Sequence, residues 1–259
     1  MHAFTVDTIS FRYEPGVPIL RELSCTVRKG EFLSIVGPNG SGKTTLLRLL
    51  DRILIPQSGR IMLGGQNIQK LSRSEIARKI AFVPQDGGIH FPYTVYEVVL
   101  MGRSPHIRGI AFENAHDREI AETVMTQANI THLADHPVTN LSGGERQRAI
   151  IARALAQEPE ILLLDEPNAH LDIAHQLGIF RMLKRLNTES GLTVVSISHD
   201  LNLAATFSDR VAMLLGGSLV ALGTPREVLT EEKIRDVFHT NVVIDRHPSA
   251  DVPRITLIA

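Results

Sequence analysis

The sequence predicts an α/β fold in which helices flank a mostly parallel β-sheet and a helical subdomain is inserted into the chain. Short apolar runs typical of buried strands alternate with helical patterns in residues 1–85 and 158–240, which form the predicted core. Residues 86–157 contain helical patterns and no strong strand, which indicates the inserted subdomain. In a parallel sheet of this kind, ligands bind at the carboxyl ends of the strands.

The strand predictions depend on apolar periodicity. Polar and apolar residues alternate over residues 4–9, with Phe4, Val6 and Thr8 on one face, which predicts a half-exposed strand. Further strands are predicted at 32–36, 59–63, 80–83, 161–164, 193–198, 211–215 and 218–221. The last two flank Gly216-Gly217, a pair typical of a tight hairpin. Residues 241–259 show no clear pattern and are treated as a C-terminal extension.

The helix predictions depend on periodicity and on capping boxes, in which a hydroxyl and a Glu three residues later satisfy free backbone amides. Capping boxes begin at Ser72, Thr94, Ser142 and Thr224, and the last of them has Pro225 at the first helical position. Helices are predicted over 45–50, 72–79, 95–101, 113–129, 142–157 and 173–187.

Composition argues against some classes of partner. The net charge is −1, Trp is absent and aromatic residues are 5%, so neither a basic surface nor a stacking platform for nucleic acid is expected. Cys25 is the single cysteine, which excludes an internal disulfide and is expected to be a buried strand residue. There is no signal-peptide pattern and no apolar run of about 18 residues, so we expect a soluble chain that depends on another chain for any membrane part.

A glycine-rich segment after the second predicted strand carries the strongest chemical signal. It fits the pattern G-x-x-x-x-G-K-[ST] and comprises Gly37, Pro38, Asn39, Gly40, Ser41, Gly42, Lys43 and Thr44, with Thr45 next in the helix. Backbone amides of such a loop surround phosphate groups. Lys43 is expected to reach the β- and γ-phosphates of ATP and Thr44 to hold Mg²⁺.

Two carboxylates follow the apolar run 161–164. A buried strand gains nothing from ending in paired acids unless a cation or a proton transfer requires them. Beside a phosphate loop, Asp165 is expected to help to hold Mg²⁺ and Glu166 to polarise the attacking water. Acids that are merely solvated at a strand end are the alternative.

A second possible phosphate surface lies at Ser142, Gly143 and Gly144. A serine hydroxyl, exposed amides and the positive end of a helix would meet there. An ordinary capped helix is the alternative. Two phosphate-binding surfaces in one chain suggest that the second serves the nucleotide of another molecule.

In order and spacing, these motifs resemble the ABC-type ATPase domain over residues 4 to 240. The resemblance implies a P-loop ATPase core with a mostly parallel sheet, an antiparallel β subdomain and an inserted helical subdomain. It also implies a head-to-tail pair of identical chains with ATP and Mg²⁺ between them. Each ATP would lie between the glycine-rich loop of one copy and Ser142–Gly144 of the other.

The resemblance implies roles for further residues. Tyr13 is expected to stack on adenine, Gln85 to sense Mg²⁺ and water, and His199 to contact the γ-phosphate. Asp172 ends a loop that would cross the dimer interface. His170 lies in a part of that loop that departs from the usual wording, so no catalytic role is assigned to it.

Two stretches resemble the ATPases of importers for iron–siderophores, haem and cobalamin: Thr94–His106, and Gly223-Thr224-Pro225 with Val228-Leu229-Thr230. This implies permease subunits, an external substrate-binding protein, and a peripheral position on the cytoplasmic face of the inner or plasma membrane. Arg103 and His106 are expected at the surface that couples to the permease, with Gly102 as a left-handed helix cap. A soluble non-transport ATPase and an importer of another cargo are alternatives. Glu166 and His199 argue against a subunit that has lost catalysis.

Overall fold

The structure is a computed structural model that describes residues 1–14, 16–85, 89, 91–107, 113–169, 171–248 and 251–258. Its strands are β1 (His2–Phe11), β2 (Leu20–Arg28), β3 (Phe32–Val36), β4 (Ser58–Leu63), β5 (Gln66–Asn67), β6 (Ile80–Val83), β7 (Ile161–Leu164), β8 (Thr193–Ile197), β9 (Arg210–Leu215), β10 (Ser218–Gly223), β11 (Val242–Arg246) and β12 (Pro253–Leu257). Its α-helices are α1 (Lys43–Leu50), α2 (Arg73–Ala77), α3 (Val95–Leu100), α4 (Ala115–Gln127), α5 (Gly143–Leu155), α6 (Ile173–Ser190), α7 (Leu201–Phe207), α8 (Pro225–Val228) and α9 (Glu231–Phe238).

The central sheet has the order β10-β9-β3-β8-β7-β6. Its neighbours pair in parallel except β9 and β10, which form the predicted hairpin. Every residue of β3, β7 and β8 is buried, as expected for apolar runs in a sheet covered on both faces. The predicted α/β core with its mostly parallel sheet is confirmed.

A second, antiparallel sheet has the order β2-β1-β4-β5. Strict alternation along β1 was wrong at Thr8, which has a φ of 45° and lies at a register shift between Val6 and Ile9. This bulge places Ile9 on the buried side with Phe4 and Val6, while Thr8 is exposed.

Helices cover both faces of the central sheet. On one face, α1 lies between the two sheets, where Leu46 and Leu47 pack in one apolar cluster with Phe4 of β1 and Leu163 of β7. On the other face, α3, α4, α5 and α6 share a cluster with the alternate strand residues, among them Leu162. Among the described residues, no helix is long and apolar enough to cross a bilayer.

The capping boxes at Ser72, Thr94, Ser142 and Thr224 are all formed. Asn114 forms a further one at the start of α4. The helical insertion is present, although α5 packs in the same cluster as strands of the core. The boundaries at residues 86 and 157 stay predictions.

The predictions for Gly102 and Arg103 were wrong. Gly102 is not a left-handed cap, because the chain continues from α3 into a 3-10 turn, Met101–Arg103. Its role is close packing: a Cβ on Gly102 would lie 2.0 Å from Arg153 O of α5. Arg103 is not on a docking surface either, since it is 2% exposed and binds Asp117 and Glu158. His106 is partly exposed and its Nε2 lies 2.9 Å from Gln157 O, so its place on a docking surface stays a prediction.

Two sets of hydrogen bonds join separate segments of the chain. Gln157, just beyond α5, donates through Nε2 to Ile80 O at the start of β6 (2.7 Å). The extension beyond residue 240, for which no pattern was found, forms the hairpin β11–β12. Asn202 of α7 donates to Ile255 O (3.0 Å) and accepts from Ile255 N (2.8 Å), which fixes the hairpin against α7.

Candidate functional site

The glycine-rich loop joins β3 to α1 at the carboxyl edge of the central sheet. Gly37, Gly40 and Gly42 have φ angles of 152°, 78° and 97°, which residues with a side chain rarely adopt. At Gly37 a Cβ would also lie 2.3 Å from Leu214 O of β9. The loop therefore requires glycine for its conformation and for its approach to the neighbouring strand.

Lys43 is buried beneath this loop, and its ammonium group donates to Gly37 O (2.8 Å) and Pro38 O (3.0 Å). Burial lowers the pKa of Lys43, and the nearby Glu166 and Asp165 carboxylates act in the opposite direction. In the described part of the chain, Lys43 forms no ion pair with a carboxylate within 4.0 Å. The Lys43 ammonium group is therefore bound by neutral carbonyl oxygens and can rotate toward an anion in the cleft.

Ser41 provides a test of whether the loop fits a phosphate ligand. Its Oγ is the buried side-chain polar atom that lacks a hydrogen-bond partner in the described part of the chain. Such an unsatisfied group costs about 1–3 kcal/mol. A phosphate oxygen supplies the missing acceptor, so the loop fits ATP.

Thr44 and Asp165 provide oxygen atoms for a cation. Thr44 Oγ1 donates to Asp165 Oδ1 (3.1 Å), and this bond joins the start of α1 to the residue after β7. Burial raises the pKa of Asp165 although the Thr44 bond lowers it. In the described residues there is no cluster of three acidic, His or Cys ligands. Few protein oxygens beside a phosphate loop suit Mg²⁺, which keeps several waters and binds substrate phosphates.

Three further predicted residues, Gln85, Glu166 and His199, are joined by hydrogen bonds at the Glu166 carboxylate. Gln85 Nε2 donates to Glu166 Oε2 (2.8 Å), and His199 Nε2 is hydrogen-bonded to Glu166 Oε1. They follow β6, β7 and β8, which are neighbours in the sheet, so their side chains project from the same edge. Glu166 has a φ of 52°, an uncommon angle for a residue with a side chain. Strain of this kind is typical of functional sites.

Tyr13 completes one side of a cleft of about 490 Å³. Its hydroxyl lies 3.2 Å from Thr45 Oγ1, its ring contacts Phe11 edge-on at 5.1 Å between centroids, and 53% of the residue is exposed. The cleft is lined by Tyr13, Ile19, Asn39, Gly40, Gly42, Lys43, Thr44, Thr45, Gln85, Glu166 and His199. Ile19 was not predicted, because the segment Val17-Pro18-Ile19-Leu20 belongs to no motif.

Ser142, Gly143, Gly144 and Asp172 do not line this cleft. Ser142 caps α5, and its Oγ donates to Glu145 Oε2 (2.7 Å). Asp172 caps α6 through the backbone N of His175 (2.8 Å). The predicted site residues thus fall on two surfaces of the chain, and their roles stay predictions. His170 lies outside the described residues.

Comparison with known proteins agrees with this geometry. The family model described as ABC transporter matches residues 20–169, more than half of the chain. The iron(3+)-hydroxamate import ATP-binding protein FhuC of Bacillus subtilis (strain 168) is 38% identical over 253 residues, which cover 98% of this chain and 94% of that protein. The ferric enterobactin transport ATP-binding protein FepC of Escherichia coli (strain K12) is 40% identical over 237 residues, covering 92% and 88%.

Solved structures agree as well. An inward-facing, metal-chelate type ABC transporter superposes with a TM-score of 0.87 at 32% identity, covering all of this chain and 98% of that one. A dimeric ATP-binding cassette with bound ADP and Pi gives a TM-score of 0.76 at 32% identity, covering 85% and 98%. These similarities agree with the phosphate loop and with the carboxylate held at the adjacent strand ends. The chain therefore belongs to the ABC transporter family, as an ATP-binding and ATP-hydrolysing subunit.

Proposed function

We propose that the chain energises the import of a metal chelate through a partner permease. The observation that carries this proposal is the Glu166 carboxylate, held by Gln85 and His199 in the same cleft as Lys43. The relatives supply the class of cargo, since their names refer to import of iron(3+)-hydroxamate, petrobactin and cobalamin and to transport of ferric enterobactin. The cargo is therefore a ferric siderophore or cobalamin, with haem a further chelate suggested by the sequence motifs.

ATP would occupy the cleft with its adenine against Tyr13 and its phosphates in the loop Gly37–Thr44. The exposure of Tyr13 at the side of the cleft supports stacking. The free Ser41 Oγ and the Lys43 ammonium support the phosphate position. Thr44, Asp165 and Gln85 would hold Mg²⁺, which neutralises phosphate charge when it is bound.

Glu166 is proposed as the group that accepts a proton from the attacking water. Its two oxygens already receive hydrogen bonds from separate side chains, and this fixes the plane of the carboxylate. The water would take the place of one of these contacts, with Gln85 or His199 turning toward it. Lys43 and His199 then stabilise charge on the γ-phosphate as it transfers.

A complete site is proposed to need a second copy of the chain. Ser142, Gly143 and Asp172 are exposed outside the cleft of their own chain, so they are available to another nucleotide, and Gly144 follows Gly143 at the start of α5. The solved dimeric cassette supports a dimer of this kind. Head-to-tail pairing of two copies would bring Ser142–Gly144 of each to the phosphates bound by the other.

The permease is proposed to dock beside Gln85. Phe91 and Tyr93 are 68% and 42% exposed and lie 6.1 Å apart between ring centroids, shortly after Gln85 in the chain. An exposed aromatic pair suits a protein interface. The chain would sit on the cytoplasmic face of the membrane, and a substrate-binding protein on the other side would deliver the chelate.

Reconstitution with the permease tests the proposal. In liposomes, ferric siderophore or cobalamin on the outer side should stimulate ATP hydrolysis several-fold and accumulate inside. Copurification of the chain with the permease is the first readout. ATP hydrolysis without any binding to the permease would contradict the transport role and support a soluble ATPase.

A further inference from the structure

The histidine three residues after Asp172 contacts the start of α5. Gly144 is buried, and a Cβ on it would lie 2.0 Å from His175 Cδ2, 2.4 Å from Cγ and 2.8 Å from Nε2. The imidazole therefore covers Gly144 directly. Beside it, a Cβ on Gly143 would lie 3.3 Å from Leu171 Cδ2. Two segments that are far apart in the sequence thus touch at both glycines.

The orientation of the His175 ring is fixed from the other side by Asp172. His175 Nδ1 lies 2.9 Å from Oδ1 and 2.8 Å from Oδ2 of that carboxylate, and His175 N donates to Oδ1 (2.8 Å). Asp172 therefore caps α6 and holds the ring of the same helix. With Nδ1 engaged, the carbon edge and Nε2 of the ring are directed at Gly144.

The charged groups around the ring come from three elements. Asp172 belongs to its own helix, Glu145 lies on α5, and His132 lies near Glu145 from the segment between α4 and α5. Hydrogen bonds from Ser142 lower the pKa of Glu145, so this carboxylate is ionised. The hydrogen bond from the His175 backbone amide lowers the pKa of Asp172 most, and the hydrogen bond from the His175 ring lowers it further. The imidazole is bonded to the Asp172 carboxylate and interacts electrostatically with a second one, Glu145, at the start of α5.

We propose that His175 is a positioning residue that joins Asp172 to Gly144, so that the two segments facing the nucleotide of a second copy move as one body. This inference rests on the proposed role of the Ser142–Gly144 surface. Without the ring, Asp172 would lose its side-chain partner and Gly144 its cover. The amides at the start of α5 would then be oriented independently of α6.

The contact itself can be measured on the single chain. Gly144→Ala should lower the melting temperature, because the new methyl group collides with the ring. In the double variant Gly144→Ala/His175→Ala this collision is absent, so the loss should be clearly smaller than the sum of the two single losses. Additive losses would overturn the contact.

The positioning role is tested in the dimer. In a Glu166→Gln background, His175→Ala should weaken ATP-dependent dimerisation at least tenfold, measured by sedimentation, while ATP affinity of the single chain changes less than twofold. With Glu166 intact and permease present, kcat should fall about tenfold with little change in KM. The control is His116→Ala on α4, an exposed histidine paired with Glu119, which should leave every value unchanged.

The outcomes separate two failures. Unchanged dimerisation and kcat in His175→Ala would overturn the positioning role even if the melting experiment shows the contact. If the parent Glu166→Gln chain forms no dimer with ATP, the proposed dimeric site is wrong, and the positioning role that depends on it is rejected too. An equal fall in single-chain ATP affinity would show general damage to the fold and would also reject the proposal.

Discussion

At the scale of single residues, the environment of Glu166 determines what its substitution should do. An amide at this position keeps the size of the side chain and can still accept from Gln85 Nε2 through its carbonyl oxygen. It cannot accept a proton from water. The fold and the ATP cleft should therefore survive Glu166→Gln, while the chemical step should not.

We expect Glu166→Gln to lower kcat by about 10²–10⁴-fold, the usual contribution of a positioned base. ATP affinity should remain within twofold, and an ATP-bound dimer should accumulate because hydrolysis no longer dissociates it. Phosphate release and gel filtration with ATP are the measurements. Glu160→Gln, an exposed acid paired with Lys29, is the matched control. A normal turnover in Glu166→Gln would show that another group is the base.

Arg103 is the second residue whose surroundings decide its role. Its guanidinium donates to Asp117 Oδ1 (2.9 Å), Ala156 O (2.8 Å) and Glu158 Oε2 (2.7 Å), and the residue is 2% exposed. It therefore joins α4 to the end of α5. The Arg103 hydrogen bond also lowers the pKa of Asp117.

Arg103→Ala should destabilise the chain by about 3–5 kcal/mol, because it leaves a buried carboxylate unpaired. Thermal melting is the measurement, and ATPase and transport should fall together as folded protein is lost. His106→Ala, which removes one contact to Gln157 O, should cost about 1 kcal/mol. If Arg103→Ala were fully stable and impaired only transport, the original expectation of a docking surface would be restored.

At the scale of elements, the end of α1 contains a carboxyl group that titrates near neutrality. Burial raises the pKa of Asp51 from an ordinary 3.8 to about 7, and Arg73 of α2 opposes the shift only in part. A raised pKa in the folded state stabilises the chain fully below the unfolded value of 3.8. That contribution is lost as the pH rises through about 7, where the buried group ionises.

Asp51→Asn should therefore stabilise the chain at pH 8 and have little effect at pH 4. Each unit of pKa shift corresponds to about 1.4 kcal/mol, and partial exposure of Asp51 reduces the effect, so a gain of about 1–3 kcal/mol is expected. Denaturant unfolding at the two pH values is the measurement. Asp236→Asn, on the exposed side of α9, is the control. A gain of equal size at both pH values would contradict ionisation as the cause.

Local chemistry explains which elements could be predicted. Capping boxes and the glycine-rich loop are encoded within a few residues, so Ser72, Thr94 and Ser142 mark real helix starts. The range of β2 was not predicted, although Cys25 was expected in a strand, because LRELSCTVR has one exposed face and too many polar residues for an apolar run. The cap prediction at Gly102 was wrong because a glycine after a helix suggests a cap, whereas the close approach of Gly102 to Arg153 O is set by tertiary packing.

The same distinction applies to the site. The phosphate loop could be predicted from its motif, and Asp165 from its place after an apolar strand. The contacts among Gln85, Glu166 and His199 depend instead on the order of strands in the sheet. The order β8-β7-β6 makes three strand ends neighbours although Gln85 and His199 are far apart in the chain. The roles of Gln85 and His199 were predicted through a family resemblance, whereas that of Glu166 was predicted from its place after a buried strand beside a phosphate loop. The contact between His175 and Gly144 had no local signal at all.

At the scale of the whole molecule, the exposed aromatic pair Phe91 and Tyr93 allows a test of coupling. Phe91→Ser/Tyr93→Ser should lower transport at least tenfold in the reconstituted system, because apolar area at the proposed permease interface is lost. ATPase of the chain without permease should change less than twofold. Val243→Ser, an apolar residue 47% exposed on β11, is the control. Equal losses of transport and permease-free ATPase would mean that the pair supports the fold.

Helix α5 has a consequence for the proposed dimer as a whole. Its first residues would meet one ATP, and beyond its other end Gln157 is bonded to the start of β6, the strand that leads to Gln85 and the second ATP. Its 13 residues form a strut about 20 Å long. If occupancy at one end shifts this strut, linkage requires that each ATP changes the affinity for the other by the same factor. If this factor favours binding, the saturation curve for ATP should be sigmoidal in the dimer and hyperbolic in the single chain.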